Sequence, residues 1–197
     1  MFTSSSRAHD EALLTFRNPD PLDWVDPLRF GRGLAAGTYR RDWVWLAFVD
    51  DQPVARGVWW GPVGSVHPIE LHCLLVDATL PHPEVWGAAL IRSAHRAFAD
   101  AGAILAPDLV VDVAPHRRHE PAVEAALEWR REAAKAAGLP VVTERMLGAA
   151  SGAAPDAAAG AGIGGESGVD AGPRLRVSYS ARALTAGSAS PLVGTAR

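Results

Sequence analysis

Residues 148–172, GAASGAAPDAAAGAGIGGESGVDAG, carry no bulky side chain except Ile163 and Val169. A stretch of that composition cannot bury enough apolar surface to offset the entropy of ordering it. It reads as a disordered linker, so the core has to come from what precedes it. Residues 1–147 are accordingly expected to form one domain, ordered from about residue 7. Residues 173–197 are left as a tail. Within the tail, Leu175, Val177 and Tyr179 alternate as in one short strand, and the final LTAGSASPLVGTAR has no core-forming pattern.

Inside the domain the periods are legible. EALLTF (11–16) and PLRFGRGLAAG (27–37) suggest short helices. DWVWLAFVD (42–50) is aromatic and β-branched, as strands are, and the turn DDQP leads to a hairpin partner, VARGVWWG (54–61). PIELHCLLVD (68–77) is a third strand. Residues 84–102 follow a helical period, with Val85, Ala88, Ile91, Ala94 or His95, and Phe98 on one face and Gly102 as the stop. PDLVVDVAP (107–115) is a buried-strand run. The helix over 120–138 is marked by Pro121 in its first turn, strong helix formers and a closing Gly138. LPVVTERML (139–147) ends the domain as a strand. An antiparallel meander followed by helix-linked strands implies an α/β fold of mixed α+β character, a mixed sheet with helices on both faces.

The composition excludes several function classes. A formal net charge of −3 gives no global attraction to nucleic acid or an anionic membrane. No stretch approaches the roughly 20 apolar residues of a membrane span, and the N-terminus lacks the pattern of a signal peptide. Cys73 is the single cysteine, so no intramolecular disulfide is available, which fits a reducing, cytoplasmic setting.

The element order and the window Glu84-Val85-Trp86-Gly87-Ala88-Ala89 resemble the GCN5-related N-acetyltransferase superfamily over residues 40–147. In that family a basic or amide residue, then glycine and a small residue, opens the helix whose amides hold the acyl-CoA pyrophosphate, a chemistry the helix dipole favours. Gly87 and Ala89 fall in place, but Glu84 stands where arginine or glutamine is usual, and Pro81 and Pro83 remove backbone donors nearby. The resemblance implies acetyl-CoA as co-substrate, held by Leu75, Val76, Trp86, Gly87, Ala88, Ala89 and Arg117. It implies a small-molecule or peptide amine as acceptor.

Glu70 and His72 alternate onto one strand face, with Ile69, Leu71, Cys73 and Leu75 on the other. A carboxylate on this strand is a recurrent base of the resembled family, which makes Glu70 the first catalytic candidate and His72 the second; a plain solvent-facing pair fits the same pattern. The tyrosine usual near the end of the helix 120–138 is absent; Trp129 and Lys135 are the large side chains there. In HRRHE (116–120), Arg117 and Arg118 offer donors to phosphates, or simply a solvated helix entry. No metal site is expected, because the arginines between His116 and His119 repel a cation and His67, His72 and Cys73 are too sparse. Trp59 and Trp60 must point to opposite faces. Two readings follow: an N-acetyltransferase, or a non-catalytic acetyltransferase-like packing domain that pairs with itself or with a second such domain. On the second reading, RLRVSYS looks like the start of another unit.

Overall fold

The computed structural model describes residues 1–6, 9, 16, 20–22, 27–148 and 172–181. It is a mixed α/β fold. Seven strands form one sheet: β1 (Phe2–Ser4), β2 (Val44–Val49), β3 (Gln52–Trp60), β4 (Glu70–Val76), β5 (Asp108–Val113), β6 (Val141–Leu147) and β7 (Arg174–Ser180). Three described helices accompany them: α1 (Pro27–Ala36), α2 (Pro83–Asp100) and α3 (Pro121–Ala136). The helix expected over 11–16 and the linker reading of 149–171 lie outside the described residues. Among the described residues, no helix is long and apolar enough to cross a membrane.

The sheet order is β1-β2-β3-β4-β5-β7-β6. β1 to β4 are antiparallel, β4 and β5 run parallel, and β7 is antiparallel to both β5 and β6. The hairpin between β2 and β3 turns on Asp50 and Asp51, whose positive φ values of 47° and 61° suit a two-residue turn matched to strand twist. Gly138, at φ 91°, closes α3 where an L side chain would be strained.

One sheet face is covered by α2 and α3. Leu71, Leu74, Val76, Leu109, Val111, Val177 and Tyr179 meet Leu90, Ile91, Ala94, Val123 and Ala133 there. Val85, expected on the packed face of α2, is exposed. The other face carries a smaller cluster of Phe16, Tyr39, Val44, Leu46, Val58, Cys73 and Leu75, against which Phe30 and Leu34 of α1 pack. Trp59 and Trp60 separate between these two clusters as their alternation requires.

Two sequence expectations are corrected. Residues 174–180 are not a tail outside the domain, nor the start of a second unit. They form β7 between β5 and β6, with Val177 and Tyr179 2% exposed under α3. Composition does not report which segments join one sheet. The facing of β4 is the second correction. Val58 pairs with Cys73 but Trp59 pairs with Leu71, so His72 is an extra residue on β4. Such a bulge shifts the alternation by one. Cys73 and Leu75 therefore share the face of Glu70 and His72, while Leu71, Leu74 and Val76 face α2 and α3.

Truncation after Gly148 removes β7 and leaves β5 and β6 without their common partner. The shortened chain should lose the cooperative thermal transition of the full chain, followed by circular dichroism. A truncated protein that melts like the full one would mean β7 is dispensable.

His95 provides a pH test of the core. Its ring lies edge-on to Trp59, 6.1 Å between centroids, and its Nε2 is buried with no hydrogen-bond partner. Burial lowers its pKa from 6.5 to about 4. The unfolded chain thus takes up the proton first, so stability is full above pH 6.5 and declines as pH falls toward 4. Between pH 7 and 5 the loss should be about 2 kcal/mol by linkage, read from urea midpoints. His95→Leu should flatten that slope; an unchanged slope would refute the assignment.

Candidate functional site

The bulge brings His72 into a chain of hydrogen bonds on the α1 side of the sheet. His72 Nε2 is 2.6 Å from Glu70 Oε2, and His72 Nδ1 is 3.2 Å from the Tyr39 hydroxyl. Trp60 stacks on the imidazole, 5.2 Å between centroids and 10° between planes. Tyr39 comes from the segment after α1, Trp60 from β3 and the dyad from β4. Three separate elements thus position one ring.

The chain continues across the strand boundary. Arg176 of β7 forks onto Asp112 of β5 at 2.8 and 2.9 Å and reaches Glu70 at 3.7 Å. The hydrogen bond from His72 is the main influence holding the Glu70 carboxyl below its usual range; partial burial opposes it, and the charges of His72 and Arg176 add to it. Asp108, paired with Glu70 across the β4–β5 boundary, is pushed the other way by burial. Burial likewise raises Tyr39, which keeps its proton at neutral pH. Two carboxyls with opposed environments and a histidine lie where β4 and β5 meet. That arrangement suits general acid–base work.

β4 and β5 pair only through Glu70–Asp108 and Leu71–Leu109. Beyond that point the Leu74 carbonyl of β4 accepts instead from the guanidinium of Arg130, at 2.8 Å. Arg130 lies on α3; it also donates to Ala126 O at 3.0 Å and to Asp20 Oδ2 at 2.7 Å. The two side chains of the ion pair are 4% and 5% exposed. Arg130, in a buried pair with a residue 110 positions away, thus occupies the β4 backbone group just past the place where the strands cease to pair.

The residues expected to hold acetyl-CoA are dispersed. Leu75 and Val76 are buried on opposite faces of β4. Trp86 packs beside Phe2 at 6.3 Å. Gly87 permits close packing of α2 on α3, since a Cβ there would stand 3.1 Å from Ala133 Cβ and 3.2 Å from Trp129. Ala88 is core and Ala89 half-buried. Because α2 begins at Pro83, the amides of Gly87, Ala88 and Ala89 lie beyond the first turn, inside the helical ladder. Val85 N–H is bonded to the His82 carbonyl and Pro83 has none to give. Gly87 and Ala88, expected to hold phosphate, make packing contacts, since small residues that suit a phosphate loop also suit a helix contact. Arg117 forks onto Glu120 at 3.1–3.2 Å, and Arg118 meets Glu144 at 3.4 Å.

The dyad Glu70–His72 was legible from alternation alone. Tyr39, Asp112, Arg176 and Arg130 were not, because each reaches the site through a non-local pairing. A cleft of about 530 Å³ between α3 and β6–β7, lined by Arg118, Glu128, Arg131, Val142 and Tyr179, lies on the opposite sheet face and does not share this chemistry. Among the described residues, no three His, Cys, Asp or Glu side chains gather to hold a metal. No family model, curated protein or solved structure matches this chain.

The Asp20–Arg130 pair makes a measurable claim. Arg130→Met leaves a buried carboxylate unpaired and should destabilise the protein by about 3–5 kcal/mol in urea denaturation. Adding Asp20→Asn should recover a large share of that. Strict additivity in the double-mutant cycle would show that the two side chains do not act as a pair.

Proposed function

We propose that this protein is a divergent acyl-CoA-dependent N-acetyltransferase that uses Glu70 as the general base toward an amine acceptor. The observation that carries this reading is the bonded run Tyr39–His72–Glu70 at the point where parallel β4 and β5 meet. A base at that point has an ionised carboxylate, a ring that fixes its orientation and a cation, Arg176, that moderates its charge. In the reaction, Glu70 takes the proton of the incoming ammonium. The freed amine attacks the thioester carbonyl, the carbon–nitrogen bond forms, and the carbon–sulfur bond breaks; the thiolate leaves and takes up the second proton shed by the nitrogen. The sheet order, with helices after β4 and after β5, supports the same reading.

A second reading is favoured by one specific feature. Arg130 holds the Leu74 carbonyl, and the start of α2 has a carboxylate, Glu84, and prolines where a phosphate needs donors. A domain so sealed suits a non-catalytic role, packing against its own copy or a second acetyltransferase-like domain.

Calorimetric titration of the full chain with acetyl-CoA separates the two. The enzyme reading expects binding, with Glu70→Gln leaving affinity nearly unchanged while lowering turnover roughly 10²–10⁴-fold at neutral pH. No heat of binding at any accessible concentration would remove the enzyme reading and leave the packing domain.

A further inference from the structure

The direction of every hydrogen bond in the polar run is set from its ends. Arginine can only donate, and an ionised carboxylate can only accept. Glu70, held ionised by its neighbours, accepts at Oε2 from His72 Nε2, so the proton sits on Nε2. The reverse tautomer would set a bare nitrogen lone pair against a carboxylate oxygen at 2.6 Å. At the far end, the Tyr39 hydroxyl, with the Arg29 guanidinium beside it, keeps its hydrogen at neutral pH and can offer it to His72 Nδ1 at 3.2 Å. The run reads Tyr39 to His72 to Glu70. Arg176 and Asp112 complete it from the other side.

We propose that Tyr39, with Arg29 beside it, is a positioning residue that holds the His72 ring with its Nε2 proton directed at Glu70. In that orientation Glu70 engages Nε2 and the Tyr39 hydroxyl engages Nδ1. His72 is therefore a fixed donor to Glu70 and not an alternative base. Trp60 stacked on one face of the ring holds its plane, and Tyr39 meets it edge-on at 81°. The ionisable groups near the ring are Glu70, Arg176, Asp112 and Asp108 toward Nε2, Tyr39 with Arg29 beside it toward Nδ1, and Cys73 next along β4 with the buried Arg56 against its thiol. None of these supplies an acceptor that would draw a proton to Nδ1 in preference to the Tyr39 hydroxyl.

The catalytic meaning of this lock rests on the reading of Glu70 as base, but the lock itself is tested without any substrate. Long-range proton–nitrogen NMR of the full chain, with His72 assigned through His72→Gln, reports which ring nitrogen is protonated. A protonated Nε2 with a hydrogen-bonded, bare Nδ1 is expected. In Tyr39→Phe the Nδ1 resonance should move toward that of a free pyridine-type nitrogen while Nε2 stays in place. Arg29→Met, at an exposed residue, should produce a smaller displacement in the same direction, and serves if Tyr39→Phe does not fold. A proton found on Nδ1 in the full chain, or an Nδ1 resonance unmoved in the folded variants, overturns the proposal. A locked tautomer in a protein that binds no acetyl-CoA would sustain the lock and remove the enzyme reading alone.

Discussion

Strand β7 joins two parts of the sheet that have no other connection. β5 and β6 never pair with each other; each pairs with Arg174–Ser180 along most of its length. The same seven residues supply Val177 and Tyr179 to the core beneath α3 and, on the opposite face, Arg176 to the polar run. Hydrogen-bond ladder, core and site charge thus converge on one strand. An edge position for it would expose its backbone and separate Arg176 from Glu70.

The second constraint is the single extra residue at His72. Without the bulge, strict alternation would turn Cys73 and Leu75 toward α2 and α3 and Leu74 toward α1. With it, Leu74 and Val76 complete one core, Cys73 and Leu75 complete the other, and His72 stands between Trp60 and Tyr39. Bulges leave their residue outside the ladder and free to be re-aimed. Here the re-aimed side chain is the one that links a tyrosine to a carboxylate.

The two halves of the proposed activity are unequally provided. On the acid–base side, Tyr39, His72 and Glu70 are joined by hydrogen bonds and Arg176 reaches the carboxylate. On the other side, the Leu74 carbonyl of β4 is engaged by Arg130, and the amides of Gly87, Ala88 and Ala89 lie within α2. A buried ion pair is held in place by the cost of leaving either charge alone, so it is a stiff element and not a loose plug. Acyl-CoA binding, if the enzyme reading holds, depends on how far that element yields.

The sequence by itself determined the local elements. The 3.6 period with Pro121 and Gly138 marked α3, the aromatic and β-branched runs marked β2 to β5, and the alternation of Glu70 and His72 brought those two side chains to one face. These are consequences of backbone geometry over a few residues, which is why they are legible without partners. Tertiary structure alone decided that residues 174–180 enter the sheet between β5 and β6, that His72 is the extra residue in its pairing, and that Gly87 serves a helix contact. It also decided that Asp20 meets Arg130 across 110 residues of chain. Each of those depends on a partner distant in sequence, and neither periodicity nor composition carries the identity of a distant partner.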